Sequence, residues 1–133
     1  MGMNVVVSCP EGFDPDESVM VRAEKIVEGS GGKLEVIRDP QKAVEGADVL
    51  YTDVWVSMGQ ETVAKSKVKK FKEFQLNDNL VSRAKDDCSV MHCLPAHRGQ
   101  EITDEVLEGK QSVVWDQAEN RLHAQKAIFA YLY

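Results

Sequence analysis

The chain has little of what marks several classes of protein. Only three cysteines occur in its 133 residues, Cys9, Cys88 and Cys93. An odd, sparse set without framework spacing excludes a disulfide scaffold and predicts a reducing, cytoplasmic setting. Basic residues number 16 against 22 acidic ones, a formal net charge of −6, so the basic face of a nucleic-acid binder is missing. The one basic run, Lys65 to Lys72, reads as a solvated helix face. No apolar run approaches the roughly 20 residues that span a bilayer. Val5-Val6-Val7 is also too short for a signal-peptide core, so no membrane partner is expected. Val6 stands where a myristoylation signal needs Ser or Thr. There is no GxGxxG or GxxxxGK[ST] loop to cradle phosphates, and no CxxC pair. No cofactor is expected. Repeats, low-complexity segments and linkers are absent too.

What is present suits a single globular domain over residues 1–133, with 43% hydrophobic and 29% charged residues. Short β-branched runs alternate with helical segments. Residues 4–8, 34–37, 49–52, 89–92 and 112–115 read as five strands. Asp14-Pro15-Asp16-Glu17 opens a helix with an acidic first turn, ended by Gly29 to Gly32. Asp39-Pro40 opens a second, short helix. A lysine-rich helix runs to about Phe71, and another covers Leu76 to Ala84 with Asn77 or Asp78 as cap. Thr103 caps one or two turns, and Asn120 to Tyr133 forms a terminal helix. This alternation predicts an α/β fold, a parallel sheet covered on both faces in a three-layer sandwich.

Three loops then converge on one edge of the sheet, where ligands of open α/β sheets bind. They carry Asp53 to Gly59, His92 to Gly99, and Trp115 to Arg121. Asp53 offers an anion for an ammonium group, and Ser57 a neutral donor and acceptor. Cys93 offers a thiol whose charge its neighbours set, and Arg121 a fork for an oxyanion or carbonyl oxygen. The set suits an amino-bearing substrate and an anionic co-substrate. Blander readings stay open: Asp53 as a cap, Cys93 as a small buried hydrophobe, Met58 as core filler, Arg121 in a surface ion pair with Glu119 or Asp116. Cys88, His92, Cys93, His97 and His123 invite a zinc reading. Adjacent residues on a strand point to opposite faces, however, so His92 and Cys93 cannot share an ion, and no metal site is expected.

Two motifs, Asp53-Val54-Trp55-Val56-Ser57-Met58-Gly59 and His92-Cys93-Leu94-Pro95-Ala96-His97-Arg98-Gly99, precede Trp115-Asp116-Gln117-Ala118-Glu119-Asn120-Arg121. Together they resemble ornithine carbamoyltransferase nearly end to end. The resemblance implies attack of the δ-amine of ornithine on the carbamoyl carbon of carbamoyl phosphate, giving citrulline and phosphate. It implies that Asp53, Ser57 and Met58 hold the amino-acid end of ornithine. Cys93 and Leu94 would lie beside the reacting amine, and Arg121 would polarise the carbamoyl group.

Family enzymes carry a second half with a Ser-Thr-Arg-Thr segment that binds carbamoyl phosphate, and a first βα unit with a Gly-Asp-Gly-Asn-Asn loop. Neither occurs here. The chain is therefore expected to supply the ornithine side only and to be inactive alone. A non-catalytic module, self-associating or complementing a carbamoyl-phosphate half, is the alternative. The family's Rossmann-related sheet, of order 3-2-1-4-5, would lose its central strand. Strand 4–8 is then expected to pair with strand 49–52 in the flavodoxin-like order 2-1-3-4-5, or to receive a strand from a partner.

Overall fold

The computed structural model describes residues 2–56 and 64–133. It is a mixed α/β structure whose strands all pair in parallel. Strand β1 (Asn4–Ser8) is followed by helix α1 (Glu17–Ser30), β2 (Lys33–Ile37), α2 (Pro40–Ala43) and β3 (Val49–Thr52). Next come α3 (Ala64–Phe71), a 3-10 turn over Lys72–Phe74, α4 (Asp78–Val81), β4 (Ser89–His92), α5 (Asp104–Leu107) and α6 (Val114–Leu132).

Local chemistry sets most of these bounds. The Asp16 carboxylate accepts the Ser18 and Val19 N–H groups in the first turn of α1, where N–H groups lack the usual acceptor four residues back. The Ser18 hydroxyl, which also donates to this carboxylate, and then those N–H groups hold its pKa below the ordinary carboxylate value. Gly31 ends the helix at φ 75°, a conformation glycine adopts without steric cost. Asp39, Asn77 and Thr103 cap α2, α4 and α5 in the same way. Gly32 answers to a different need: a Cβ there would stand 2.2 Å from the Met3 carbonyl oxygen, so only glycine lets β2 start against β1.

The core lies on one side of the molecule. Leu50 of β3 and Val90 of β4 pack with Leu76, Leu80 and Val81, with Ile102, Val106 and Leu107, and with Val114. On the other side α1 has no buried residue. The loop after β1 reaches the β3 side through aromatic rings. Phe13 meets Phe71 edge-on at 4.9 Å, and Trp55 lies 5.8 Å from Phe71.

Two expectations are corrected. First, the sheet does not close in the order 2-1-3-4-5. Strands β1 and β2 form one two-stranded sheet and β3 and β4 another, with no ladder between β1 and β3 among the described residues. The space between them is a cleft of about 880 Å3 lined from both strands. Each strand is held by its own neighbours, so the gap is not closed by sliding one against the other. Second, the fifth strand shrinks to a single parallel bridge between Val90 and Ser112. Helix α6 begins at Val114, six residues before the expected start. A four-residue run with three apolar residues cannot be told from the first turn of a buried helix by periodicity. The long helix-forming stretch that follows recruits it. Trp115 to Arg121 is consequently helix rather than loop.

Candidate functional site

The register of β3 and β4 builds the site. Thr52 pairs with His92, so the next residues, Asp53 and Cys93, leave the sheet side by side. The Cys93 thiol donates to Asp53 Oδ1 at 2.9 Å. The same oxygen accepts the Val54 N–H at 2.6 Å. Partial desolvation first, and then the Asp53 carboxylate, push the Cys93 thiol above its ordinary pKa. The raised pKa favours the protonated thiol, the form that donates to Asp53.

Two residues that sequence reasoning passed over complete the strand ends. Tyr51, two positions before Asp53 and so on its face of β3, acts against the rise in the Cys93 pKa. Its hydroxyl oxygen accepts from Gln117 Nε2 at 3.1 Å. Gln117 Oε1 accepts the His92 main-chain N–H at 3.1 Å. One amide of α6 thus ties together the ends of β3 and β4. Only a sequence reading that placed Gln117 in a helix could have aimed it there.

Behind Cys93 the loop is clamped by a buried pair. His92 and Glu101 have side chains with no solvent exposure, and His92 Nε2 lies 3.1 Å from Glu101 Oε1. The Leu94 N–H donates to His92 Nδ1 at 2.8 Å. That nitrogen is therefore the acceptor, and the ring proton is on Nε2, donated to the carboxylate. Glu101 Oε1 also accepts the His97 N–H at 2.5 Å, so one carboxylate grips both ends of the segment 92–97. Among the described residues Glu101 Oε2 has no partner. Glu101 is itself fixed through its main chain, whose carbonyl accepts the Leu76 N–H at 2.9 Å. Within the clamped segment Leu94 has φ 56° and precedes a cis bond to Pro95. Outside it, Arg98 is engaged by Asp104 and Glu108, both at 2.5 Å. The Arg98 guanidinium holds Glu108 below the usual carboxylate range.

The structure brings Asp53 and Cys93 together, as the loops predicted. Leu94 presents its main chain to His92, while its side chain packs against the core. Ser57 and Met58 lie outside the described residues. Arg121 is exposed on α6, one turn beyond Gln117 and hence on the same helix face. Its two expected ion-pair partners do not engage it among the described residues; Glu119 instead faces His123 at 3.6 Å. Among the described residues no three His, Cys, Asp or Glu side chains converge on one point, and His92 and Cys93 are committed to Glu101 and Asp53 respectively.

Comparison with known proteins gives the family. Residues 1–132 match the family model described as aspartate/ornithine carbamoyltransferase, Asp/Orn binding domain. The anabolic ornithine carbamoyltransferase of Pyrococcus furiosus is 58% identical over 130 residues, covering 98% of this chain and 41% of that protein. A solved ornithine carbamoyltransferase structure from Pyrococcus furiosus superposes with a TM-score of 0.91 at 59% identity, over 97% of this chain and 41% of the other. The anabolic ornithine carbamoyltransferase structure from Campylobacter jejuni gives a TM-score of 0.92 at 34% identity, over 98% and 43%. This chain thus spans about two fifths of the length of these relatives. It belongs to the aspartate/ornithine carbamoyltransferase family and comprises its Asp/Orn-binding domain.

Proposed function

We propose that this chain is the ornithine-holding half of an ornithine carbamoyltransferase and that a carbamoyl-phosphate-binding half outside it supplies the second substrate. The observation that carries this reading is the Asp53–Cys93 pair at the carboxyl ends of two parallel strands. In the reaction the neutral δ-amine of ornithine attacks the carbamoyl carbon. The bond from that carbon to the phosphate oxygen breaks, phosphate leaves with the electron pair, and the proton that the amine loses passes to the departing phosphate. Asp53 supplies the fixed anion that meets an ammonium group of ornithine. Cys93, held as a thiol, is a donor and packing surface beside the amine rather than its base. Ser57 and Met58 complete the grip on the amino-acid end. Leu94 borders the amine, and Arg121 polarises the carbamoyl oxygen, where positive charge is worth most as the tetrahedral intermediate forms.

The isolated chain is inactive in this reading, because the Ser-Thr-Arg-Thr segment that binds carbamoyl phosphate in family enzymes does not occur in its sequence. Its partners are a complementing carbamoyl-phosphate half or further copies in an oligomer. Among the described residues no helix is long and apolar enough to cross a membrane. The free thiols of Cys9, Cys88 and Cys93 suit the reducing cytoplasm. A second reading, a folded interaction module without catalysis, is favoured by the apolar side chains that α1 and α6 leave exposed, Ile26 and Phe129 among them.

Calorimetry with ornithine, set beside an assay for citrulline, separates the two. The ornithine-holding half binds ornithine, loses about tenfold to a hundredfold in affinity in Asp53→Asn, as expected for one charged hydrogen bond, and forms no citrulline alone. Citrulline from the purified chain, or identical ornithine binding in Asp53→Asn, contradicts the proposal.

A further inference from the structure

The Gln117 amide meets partners that leave it one orientation. The His92 main-chain N–H can only donate, so the amide atom 3.1 Å from it is the oxygen, Oε1. Nε2 is then the atom 3.1 Å from the Tyr51 hydroxyl. An amide nitrogen donates and does not accept, so the phenol oxygen is the acceptor. The phenol's own proton is left to point elsewhere.

The strand register says what that proton meets. Tyr51 stands opposite Met91 and Thr52 opposite His92, which sets Asp53 opposite Cys93 on the face that Tyr51 shares. Met91 offers only a weak thioether acceptor. Asp53 Oδ1 already takes the Cys93 thiol and the Val54 N–H. The Cys93 sulfur donates its proton to Asp53 and keeps lone pairs that can accept. Tyr51 acts against the rise in the Cys93 pKa, the sign expected of a donor to the sulfur. Asp53 and Tyr51 are the titratable side chains that act on this thiol among the described residues. Helix α6 brings the uncharged Gln117 to the same face, with Arg121 one turn beyond it.

We infer that Gln117 is a positioning residue for Cys93: by gripping the His92 N–H and the Tyr51 oxygen at once, it turns the Tyr51 hydroxyl proton onto the Cys93 sulfur. Every donor then points the same way, from the β4 main chain through Gln117, Tyr51 and Cys93 to Asp53 Oδ1. Donors aligned in a chain polarise one another. A side chain of α6 thus governs, at one remove, how readily the thiol ionises. That the thiol borders a reacting amine rests on the function proposed above; the direction of the hydrogen bonds does not.

Iodoacetamide alkylation of Cys93 across pH tests this on the full chain, read by mass spectrometry on the peptide that carries Cys93. Tyr51→Phe removes the donor, and Gln117→Leu releases the phenol. Each is expected to move the alkylation profile to higher pH and to slow the reaction about threefold to tenfold below the midpoint, the worth of one hydrogen bond. In the Tyr51→Phe background, Gln117→Leu is expected to add nothing, because the amide acts through the phenol. Should Gln117→Leu fail to fold, Gln117→Glu serves in its place. It keeps an acceptor for the His92 N–H and takes the phenol proton for itself. Its shift to higher pH is expected to be larger with Tyr51 present than in Tyr51→Phe, where only its charge remains. A profile that Tyr51→Phe or Gln117→Leu leaves unmoved, or moves to lower pH, overturns the proposal. So does a Gln117 substitution that shifts the profile equally with and without the phenol, which puts its effect on the His92 main chain or on charge alone. Calorimetry with ornithine on the same samples reports separately on the function proposed above.

Discussion

The two half-sheets carry similar apolar patterns and meet different fates. Around β3 and β4 the apolar residues find one another: Ile102, Val90 and Val114 are fully buried, and Leu107 nearly so. Around β1 and β2 they do not. Ile26 of α1 is 69% exposed, and α1 buries no side chain. The periodicity that predicts an amphipathic helix says which face wants to be covered, not whether this chain supplies the cover. The same holds for the far end of α6, where Phe129 is 65% exposed. The candidate site is built wholly on the consolidated half, where a register fixed by β3 and β4 sets Asp53 against Cys93.

The sharpest way to break this contrast is a pair of truncations read by urea denaturation. Leu107→Ala is expected to cost about 2–5 kcal/mol, the range for a buried leucine. Ile26→Ala is expected to cost no more than about 0.5 kcal/mol. Equal losses would mean that both halves share one core.

Next in size is Glu101→Ala, which leaves the buried His92 Nε2–H and the His97 N–H without an acceptor. A cost of about 2 kcal/mol is expected, from roughly 1–3 kcal/mol for each stranded buried group less relief at the partnerless Oε2. In NMR the imidazole nitrogens of His92 should lose their distinct protonated and unprotonated signals as the tautomer lock goes. Wild-type-like nitrogen shifts would show that Glu101 does not set the ring.

A local effect follows on the other half. Gly32→Ala drives a Cβ into the Met3 carbonyl and should cost about 1–2 kcal/mol. Faster amide exchange is expected in β1 and β2 while β3 and β4 are unaffected. Spread of the effect to Leu50 and Val90 would show the halves to be coupled.

The smallest effect concerns chemistry rather than stability. Burial and Asp53 raise the Cys93 pKa, so the protonated thiol is the form favoured by the fold. That contribution is complete below the ordinary thiol pKa and is lost as pH rises through the raised value. Cys93 should therefore react slowly with iodoacetamide at pH 7–8 (the range below the ordinary thiol pKa) and speed up only at higher pH. Asp53→Asn removes the acceptor and the charge, and should move that rise to lower pH. An unmoved alkylation profile would deny the pairing.

Much of the site half was legible in the sequence. Val49–Thr52 and Ser89–His92 are strands with the expected bounds, Thr103 caps α5, and Asp53 and Cys93 meet as their positions after parallel strands implied. The misses have physical causes. The start of α6 was hidden because Val113-Val114-Trp115 is too short to show a period, and with it went Gln117. Glu101 was hidden because a buried carboxylate is recognised by its partners, which come from residues four and nine positions away on a folded loop. The strand order was misjudged because removing a central strand was taken to close the sheet. The edges are instead held by α2, by the Phe13–Phe71–Trp55 cluster and by each half's own pairing, which leave the cleft open.

Residue-resolved amide exchange in the free chain is the most direct test of that open cleft. Val6 and Tyr51, whose main chains face it, should exchange quickly, Val7 more slowly through its bond to β2, and Leu50 slowest of the four. If Val6 and Tyr51 are as protected as Val7 and Leu50 in the chain alone, β1 and β3 pair with each other, and the division into a finished half and an unfinished one is wrong.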